Sequence, residues 1–196
     1  MTDPLAPRMR WWGWGVDGHD APLPRPALAL LRDELGVGGS RAEPPALERV
    51  ELLEPALGPR SRARLVAAVG GAHVRDDRLT RITHAAGRSY PDLVRLRCGR
   101  GLSAPDAVVY PADHDEIAEV LAACVKEAVA VVPFGGGTSV VGGVEPLRGP
   151  FAATVSVDLA RMSGLRELDA RSQLATFAAG TTGPDLERLL GARGLT

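Results

Sequence analysis

The pattern of hydrophobic and polar residues is clearest in the second half of the chain, where it predicts a β-α-β unit. A short β-branched run at residues 107–110 is typical of a strand. Apolar positions recur at helical spacing over residues 115–128, behind Asp113 and Glu116 at capping-box spacing. The continuous apolar run at residues 129–132 predicts a second, buried strand that is parallel to the first.

Further elements follow the second strand and continue the mixture of strand and helix. Thr182 and Pro184 suit the N-cap and an early position of a helix, and Gly194 suits its end. The other predicted elements are a strand at 153–158 and a hairpin that joins 165–169 to 174–178 through a turn at 170–173.

The first half is interrupted by proline and glycine, and it predicts an extended arm with short helices. Each proline fixes φ and removes a backbone donor. The spacing nevertheless predicts three short helices, at residues 27–35, 45–53 and 59–69. We therefore divide the chain into an N-terminal arm, residues 1–100, and a second domain, residues 101–196.

The composition of the 196 residues indicates a folded protein without a membrane span. Apolar residues make up 45% and charged residues 24% of the chain, which argues against wholesale disorder. No apolar run approaches the ~20 residues that are needed to cross a bilayer. The two cysteines, Cys98 and Cys124, are too few for a disulfide framework and predict a reducing, cytoplasmic location.

Charge is divided unevenly, although the formal net charge is only −1. Residues 1–100 carry a balance of +4 and residues 101–196 a balance of −5, with ten arginines between positions 60 and 100. That basic segment has a single aromatic residue, Tyr90, on which a base could stack, so we predict no nucleic-acid partner. A solvated surface or a homodimer contact is favoured there over a site for an anionic substrate group.

The strongest chemical signal is the segment 133–143, which follows the second strand directly and contains five glycines. Glycines let backbone N–H groups converge on one anion, and the hydroxyls of Thr138 and Ser139 add uncharged donors. The segment lacks the lysine of a P-loop and the glycine spacing of a dinucleotide-binding fingerprint. Binding would rest on backbone dipoles, which suits a permanently held pyrophosphate. A plain glycine turn is the alternative.

The stretch 132–139, VPFGGGTS, resembles the pyrophosphate loop of FAD-binding oxidoreductases of the vanillyl-alcohol oxidase type, which share the PCMH-type FAD-binding domain. The stretch 104–111, APDAVVYP, is similar to the same family. Three other stretches resemble its alkyldihydroxyacetonephosphate synthase branch, namely MRWWGWG at 9–15, SYPDLVRLR at 89–97 and AGTTGPDLE at 179–187.

The resemblance implies an α+β fold, with an N-terminal helical arm followed by the first part of a PCMH-type FAD-binding domain. It implies FAD as the cofactor, used for two-electron oxidation or, in the synthase branch, for exchange of acyl for alkyl on a dihydroxyacetone phosphate. By the same resemblance, the residues that would wrap the FAD pyrophosphate are Pro133, Phe134, Gly135, Gly136, Gly137, Thr138, Ser139 and Gly143.

Proteins of this type continue into a second flavin-contacting segment and a substrate domain that carries their catalytic Tyr and His. We therefore expect the chain to be a truncated part of such an enzyme, assign it no catalytic residue and leave open whether it is an enzyme. A small-molecule substrate (a hydroxy acid, an alcohol or a glycerone-phosphate-like compound) is expected only in a complete enzyme. The alternative hypothesis is a non-catalytic truncated or split fragment that needs a partner chain to bind FAD.

Isolated reactive side chains carry weaker signals. His84 lies beside a branch motif and is expected to be packed or solvent-facing rather than linked to a flavin. Cys124 lies on the apolar face of a predicted helix and is expected in the core. Tryptophans 11, 12 and 14 are expected to pack the arm onto the body or onto a second subunit. No metal site is predicted, because no partner stands at i+3 or i+4 from any of the histidines, His19, His73, His84 and His114.

Overall fold

The computed structural model describes residues 5, 9–16, 18, 22–37 and 43–196. These residues form six α-helices, Arg25–Leu35 (α1), Pro59–Val69 (α2), Arg78–Thr83 (α3), Tyr90–Cys98 (α4), His114–Glu127 (α5) and Gly183–Gly191 (α6). The strands are Val74–Arg75 (β1), Ala107–Val109 (β2), Val129–Phe134 (β3), Ala153–Asp158 (β4), Leu165–Asp169 (β5) and Leu174–Phe177 (β6). The predicted α+β fold is confirmed.

Four strands form one sheet in the order β1-β2-β4-β3, and β5 and β6 form a separate antiparallel hairpin. β4 pairs in parallel with both β2 and β3, while β1 pairs antiparallel to β2. The strands on either side of α5 run in the same direction, as predicted, with β4 between them. All six residues of β4 are buried, so this strand lies at the centre of the core.

β3 is less buried than its apolar sequence predicts. Val129 and Phe134 at its ends are buried, whereas the residues between them are half-buried or, at Pro133, exposed. Among the described strands, β3 pairs with β4 alone and is therefore at an edge of the sheet. The prediction of a buried strand is wrong for the middle of β3, because an apolar run does not reveal which strand becomes the edge.

Helix α5 begins and ends at well-defined caps. The carboxylate of Asp113 accepts a hydrogen bond from Glu116 N at 2.9 Å. The Glu116 carboxylate accepts in turn from Ala112 N at 2.7 Å, one residue before the position that an ideal capping box uses. At the other end, Ala128 adopts the left-handed conformation with φ of 51° and ψ of 48°. This residue turns the chain directly from the helix into β3.

The buried stripe of α5 is narrower than its apolar pattern predicts. Val120 and Cys124 are buried, which confirms the core position of the cysteine. Leu121 and Val125, expected on the same face, are 44% and 84% exposed. The core cluster around α5 and the sheet is completed from the first half of the chain by Leu65, Val69 and Val74.

The first half of the chain contains more regular structure than the sequence predicts. Of the three predicted helices, the one at 45–53 is only a 3₁₀ turn, Leu47–Arg49, because Glu51 N donates to Gly99 O at 2.8 Å and the chain is extended there. β1, α3 and α4 were not predicted. α4 begins with a capping box between Ser89 and Asp92. At the far end, α6 ends at Gly191 rather than at Gly194.

Residues on both sides of position 100 pack into the same core. Val74 of β1 lies opposite Val109 of β2. The buried carboxylate of Asp106 accepts hydrogen bonds from Ala56 N and Thr154 N, each at 2.7 Å. The division into residues 1–100 and 101–196 stays a prediction about how the chain is organised, and these contacts run across it.

Candidate cofactor site

The glycine loop, residues 135–143, leaves the end of β3 and turns at Gly137. Gly137 has φ of +69°, and a Cβ there would lie 2.7 Å from Cζ of Phe134. Backbone conformation and the packed ring both exclude a side chain at this position. Gly135 and Gly136 differ, because a Cβ on the first would meet no atom within 4 Å and one on the second only Thr138 Cγ2, at 3.7 Å. These two residues border open space.

Ser139 holds the second half of the glycine loop in place. Its Oγ accepts hydrogen bonds from Gly143 N at 3.1 Å and from Val141 N at 3.5 Å. Its carbonyl oxygen accepts a short hydrogen bond, 2.6 Å, from Arg88 N. The loop is therefore closed on itself by a hydroxyl and tied to the chain just before α4 by its backbone.

Two cavities adjoin the glycine loop. The larger, about 680 Å³, lies between the loop and the beginning of α6, and Met9 and Val16 of the N-terminal segment form part of its wall. The smaller, about 60 Å³, shares Gly135 and Gly136 with the larger one and extends to His84. Only the larger cavity has the volume of a typical ligand site.

The eight residues predicted to wrap a pyrophosphate occupy different places in this arrangement. Phe134, Gly135, Gly136 and Thr138 line a cavity. The other four do not, since Pro133 is exposed on β3, Gly137 is buried in the turn, and Ser139 and Gly143 bond to each other. The structure thus brings all eight into one loop and its base, and it separates those that face the cavity from those that shape the loop.

His84 is packed beneath the start of the glycine loop, in the wall of the smaller cavity. Its Nδ1 lies 2.7 Å from Thr80 O, and its Nε2 lies 2.9 Å from the Asp158 carboxylate. Its ring centroid is 4.1 Å from that of Phe134. Both ring nitrogens lie within hydrogen-bond distance of oxygen atoms. Of the two expected positions, packed or solvent-facing, His84 takes the packed one. Its partner Asp158 is too distant in sequence for spacing to suggest it.

The segment before α6 forms the opposite wall of the larger cavity and was not predicted as part of the site. A Cβ on Gly180 would lie 1.7 Å from Leu159 O, so the backbone here approaches the end of β4 very closely. The positive end of the α6 dipole borders the cavity, which favours an anion. The Asp185 carboxylate shares this wall and accepts a hydrogen bond from the Thr182 hydroxyl at 2.8 Å. The sequence signal that could have indicated this wall is Thr182-Gly183-Pro184, a typical helix start that follows a predicted strand.

The residues that the structure describes contain no group of three or more His, Cys, Asp and Glu side chains that could hold a metal ion. No helix among them is long and apolar enough to cross a membrane. His19 lies outside the described residues.

The geometry fits a pyrophosphate. Two bare glycine backbones and the Thr138 residue border a cavity that faces a helix N-terminus, and none of residues 135–143 is charged. Phosphate oxygens can accept hydrogen bonds from backbone N–H groups in such a site without a charged side chain in the loop.

The sequence profile of the FAD binding domain matches residues 105–196, a range that includes β3, the glycine loop and α6. The chain therefore contains part of an FAD-binding domain, at residues 105–196. It is 31% identical over 218 residues to an alkyldihydroxyacetonephosphate synthase of Dictyostelium discoideum, a match that covers 98% of this chain and 36% of the synthase.

Comparison with solved structures agrees with the sequence comparison. An alkyldihydroxyacetonephosphate synthase structure superposes with a TM-score of 0.84 and 29% identity, covering 95% of this chain and 39% of that one. p-Cresol methylhydroxylase has the same fold, with a TM-score of 0.58 and 14% identity over 74% of this chain and 27% of its own. The PCMH-type FAD-binding domain, the synthase-like branch and FAD as the cofactor are confirmed. The chain spans somewhat more than a third of the length of these synthases.

Proposed function

We propose that this FAD-binding domain holds the FAD pyrophosphate in the larger cavity and serves a flavin-dependent enzyme similar to alkyldihydroxyacetonephosphate synthase. The observation that carries the proposal is the pair Gly135 and Gly136, whose bare backbones border the cavity opposite the N-terminus of α6. In this arrangement, the glycine loop and the N-terminus of α6 would approach one pyrophosphate from two sides.

The eight residues around the loop would divide the work of binding. Backbone N–H groups of Gly135 and Gly136 and the Thr138 hydroxyl would donate to phosphate oxygens. Ser139 and Gly143 would keep the loop closed, and Gly137 would provide its turn over the ring of Phe134. Pro133 would keep the end of β3 extended. Bound FAD would supply two-electron chemistry, and the chain would supply its orientation.

The substrate, the oligomeric state and the cellular location are properties of the whole protein, and we propose each of them. The relatives are named for an alkyl dihydroxyacetone phosphate and, in a match of 33% identity over 93 residues, for glycolate. A glycerone-phosphate-like compound, a hydroxy acid or an alcohol is therefore the substrate class that we propose. The arginine-rich segment at residues 60–100 is the basis on which we propose a homodimer. Two free cysteines support a reducing, cytoplasmic location.

The first test is the absorbance spectrum of the purified chain and a titration with FAD. We expect bound flavin in the wild type and its loss in Gly136→Val, because the valine side chain would fill the space that the phosphates need. The backbone itself tolerates a Cβ at this position, so the fold should survive. Gly58→Val is the matched control, since Gly58 precedes α2, outside both cavity walls, and a Cβ there meets no atom within 4 Å.

The outcomes separate the hypotheses. Unchanged flavin binding in Gly136→Val would show that the pyrophosphate is not at this loop. A colourless wild-type chain that FAD does not stabilise would favour the alternative fragment hypothesis, in which binding needs a partner chain. Turnover of an alcohol or hydroxy acid by the chain alone would contradict that alternative.

A further inference from the structure

Arg88 is a buried cation whose hydrogen bonds go to carbonyl oxygens. Its side chain is 3% exposed and donates to Gly87 O at 2.9 Å and to Arg10 O at 3.0 Å. Burial lowers its pKa, and the nearby Asp92 carboxylate opposes that effect. Asp92 itself bonds to Ser89 and Arg95. Because carbonyl oxygens rather than a carboxylate accept these hydrogen bonds, an ordinary buried ion pair does not explain Arg88.

The backbone of the same residue is bound to the glycine loop. Arg88 N donates to Ser139 O, and a Cβ on the preceding Gly87 would lie only 2.1 Å from that oxygen. Any side chain at position 87 would therefore push the two segments apart. The dipeptide Gly87–Arg88 contacts the glycine loop through its backbone and the N-terminal segment through the Arg88 side chain.

The N-terminal segment, residues 9–16, is a compact turn that reaches the cofactor cavity. Arg10 N donates to Gly15 O at 2.9 Å, and the Arg10 guanidinium donates to Val16 O at 2.7 Å. Two guanidinium groups contact the Trp12 ring, with Cζ of Arg10 at 5.0 Å and Cζ of Arg97 at 5.1 Å from its centroid. Met9 and Val16, at its two ends, line the larger cavity.

We propose that Arg88 is a positioning residue of the cofactor site, which fastens the N-terminal segment to the glycine loop so that this segment forms one wall of the FAD cavity. This inference rests on the proposed function. It gives the stretch MRWWGWG, which lies outside the residues matched by the FAD-binding profile, a part in binding the cofactor. Trp12 helps to hold this segment through its contacts with Arg10 and Arg97.

The test compares Arg88→Gln and Arg88→Lys in the full chain by FAD titration and tryptophan emission. The three tryptophans of the chain all lie in this segment, so their emission reports its position. We expect both variants to shift the emission to longer wavelength and to weaken FAD binding by about tenfold or more, because wall contacts are lost. Far-UV circular dichroism should stay unchanged. Arg62→Gln is the control, because the half-buried Arg62 of α2 pairs with Asp76 and lines neither cavity.

A second variant keeps the inference testable if the Arg88 variants fail to fold. Trp12→Ala loosens the same segment while leaving Arg88 intact, and it should weaken FAD binding comparably. Combined with Arg88→Gln, it should add little. Wild-type affinity in Trp12→Ala or in Arg88→Lys would overturn the proposal, and the latter result would assign the effect to charge alone. If wild-type chain binds no FAD, the proposed function fails first and the cofactor role of Arg88 fails with it.

Discussion

At the scale of single residues, Cys98 and Cys124 show how placement separates two side chains of the same type. Cys124 is 2% exposed on the inner face of α5, and burial raises the pKa of its thiol to about 11. Cys98 is exposed at the end of α4. At pH 8 about one Cys124 in a thousand would be the reactive thiolate even if reagent could reach it.

We therefore predict that a thiol reagent at pH 8 modifies one equivalent of cysteine quickly in the folded protein. The second equivalent should react only after urea is added. Cys98→Ser should remove the fast phase and leave the slow one. The measurement is the time course of reagent absorbance, and two equal rates in the folded wild type would contradict the burial of Cys124.

The cofactor site shows at the same scale what the sequence could predict. Five glycines in eleven residues after an apolar run mark a ligand loop because the pattern is local. The contacts of His84 with Asp158 and of Arg88 with Arg10 join residues more than 70 positions apart. No spacing rule connects such pairs, since the folded backbone alone brings them together.

At the scale of elements, local caps and periodicity predicted α2, α5, β4 and the β5–β6 hairpin close to their observed bounds. The errors fall where tertiary contacts decide the outcome. β3 is at an edge because, among the described strands, it pairs with β4 alone. The predicted helix at 45–53 is interrupted because Glu51 N donates to Gly99 O. The capping box that begins α4 was a local signal, and it was overlooked.

The junction between α5 and β3 gives a prediction at this scale. Ala128 adopts the left-handed conformation, which is sterically unfavourable for alanine but not for glycine. The opposing effect is smaller: glycine has more conformational entropy in the unfolded chain. We expect Ala128→Gly to raise the free energy of unfolding by about 0.5–1 kcal/mol in urea denaturation.

Gly99→Ala is the reverse control, because Gly99 has φ of +66° and a Cβ there would lie 3.0 Å from Pro45 Cγ. It should destabilise the protein. A loss of stability in Ala128→Gly would mean that unfolded-state entropy outweighs the strain at this turn.

At the scale of the whole molecule, the core is completed by residues from the first half of the chain. Leu65 and Val69 of α2 and Val74 of β1 cover the same cluster as Val120 and Cys124 of α5. Without them, this apolar surface would face water, at a cost of roughly 25 cal/mol per Å².

We predict that residues 101–196 produced alone show no cooperative urea transition by circular dichroism. Residues 43–196 keep α2, β1 and the hydrogen bond from Ala56 N to Asp106, and they should unfold cooperatively. A cooperative transition in the shorter piece would instead support an autonomous unit that begins near residue 101.

The position of β4 in the sheet has a consequence for how the protein is made. During synthesis, β2, α5, β3 and the glycine loop leave the ribosome before β4, yet β4 lies between β2 and β3. A nascent chain that ends near Gly143 has two apolar strands with an unfilled gap between them. Asp158, the partner of His84, arrives with the same strand. The cofactor loop is therefore translated before the strand that supports it, and until β4 arrives the edges of β2 and β3 are open to premature association.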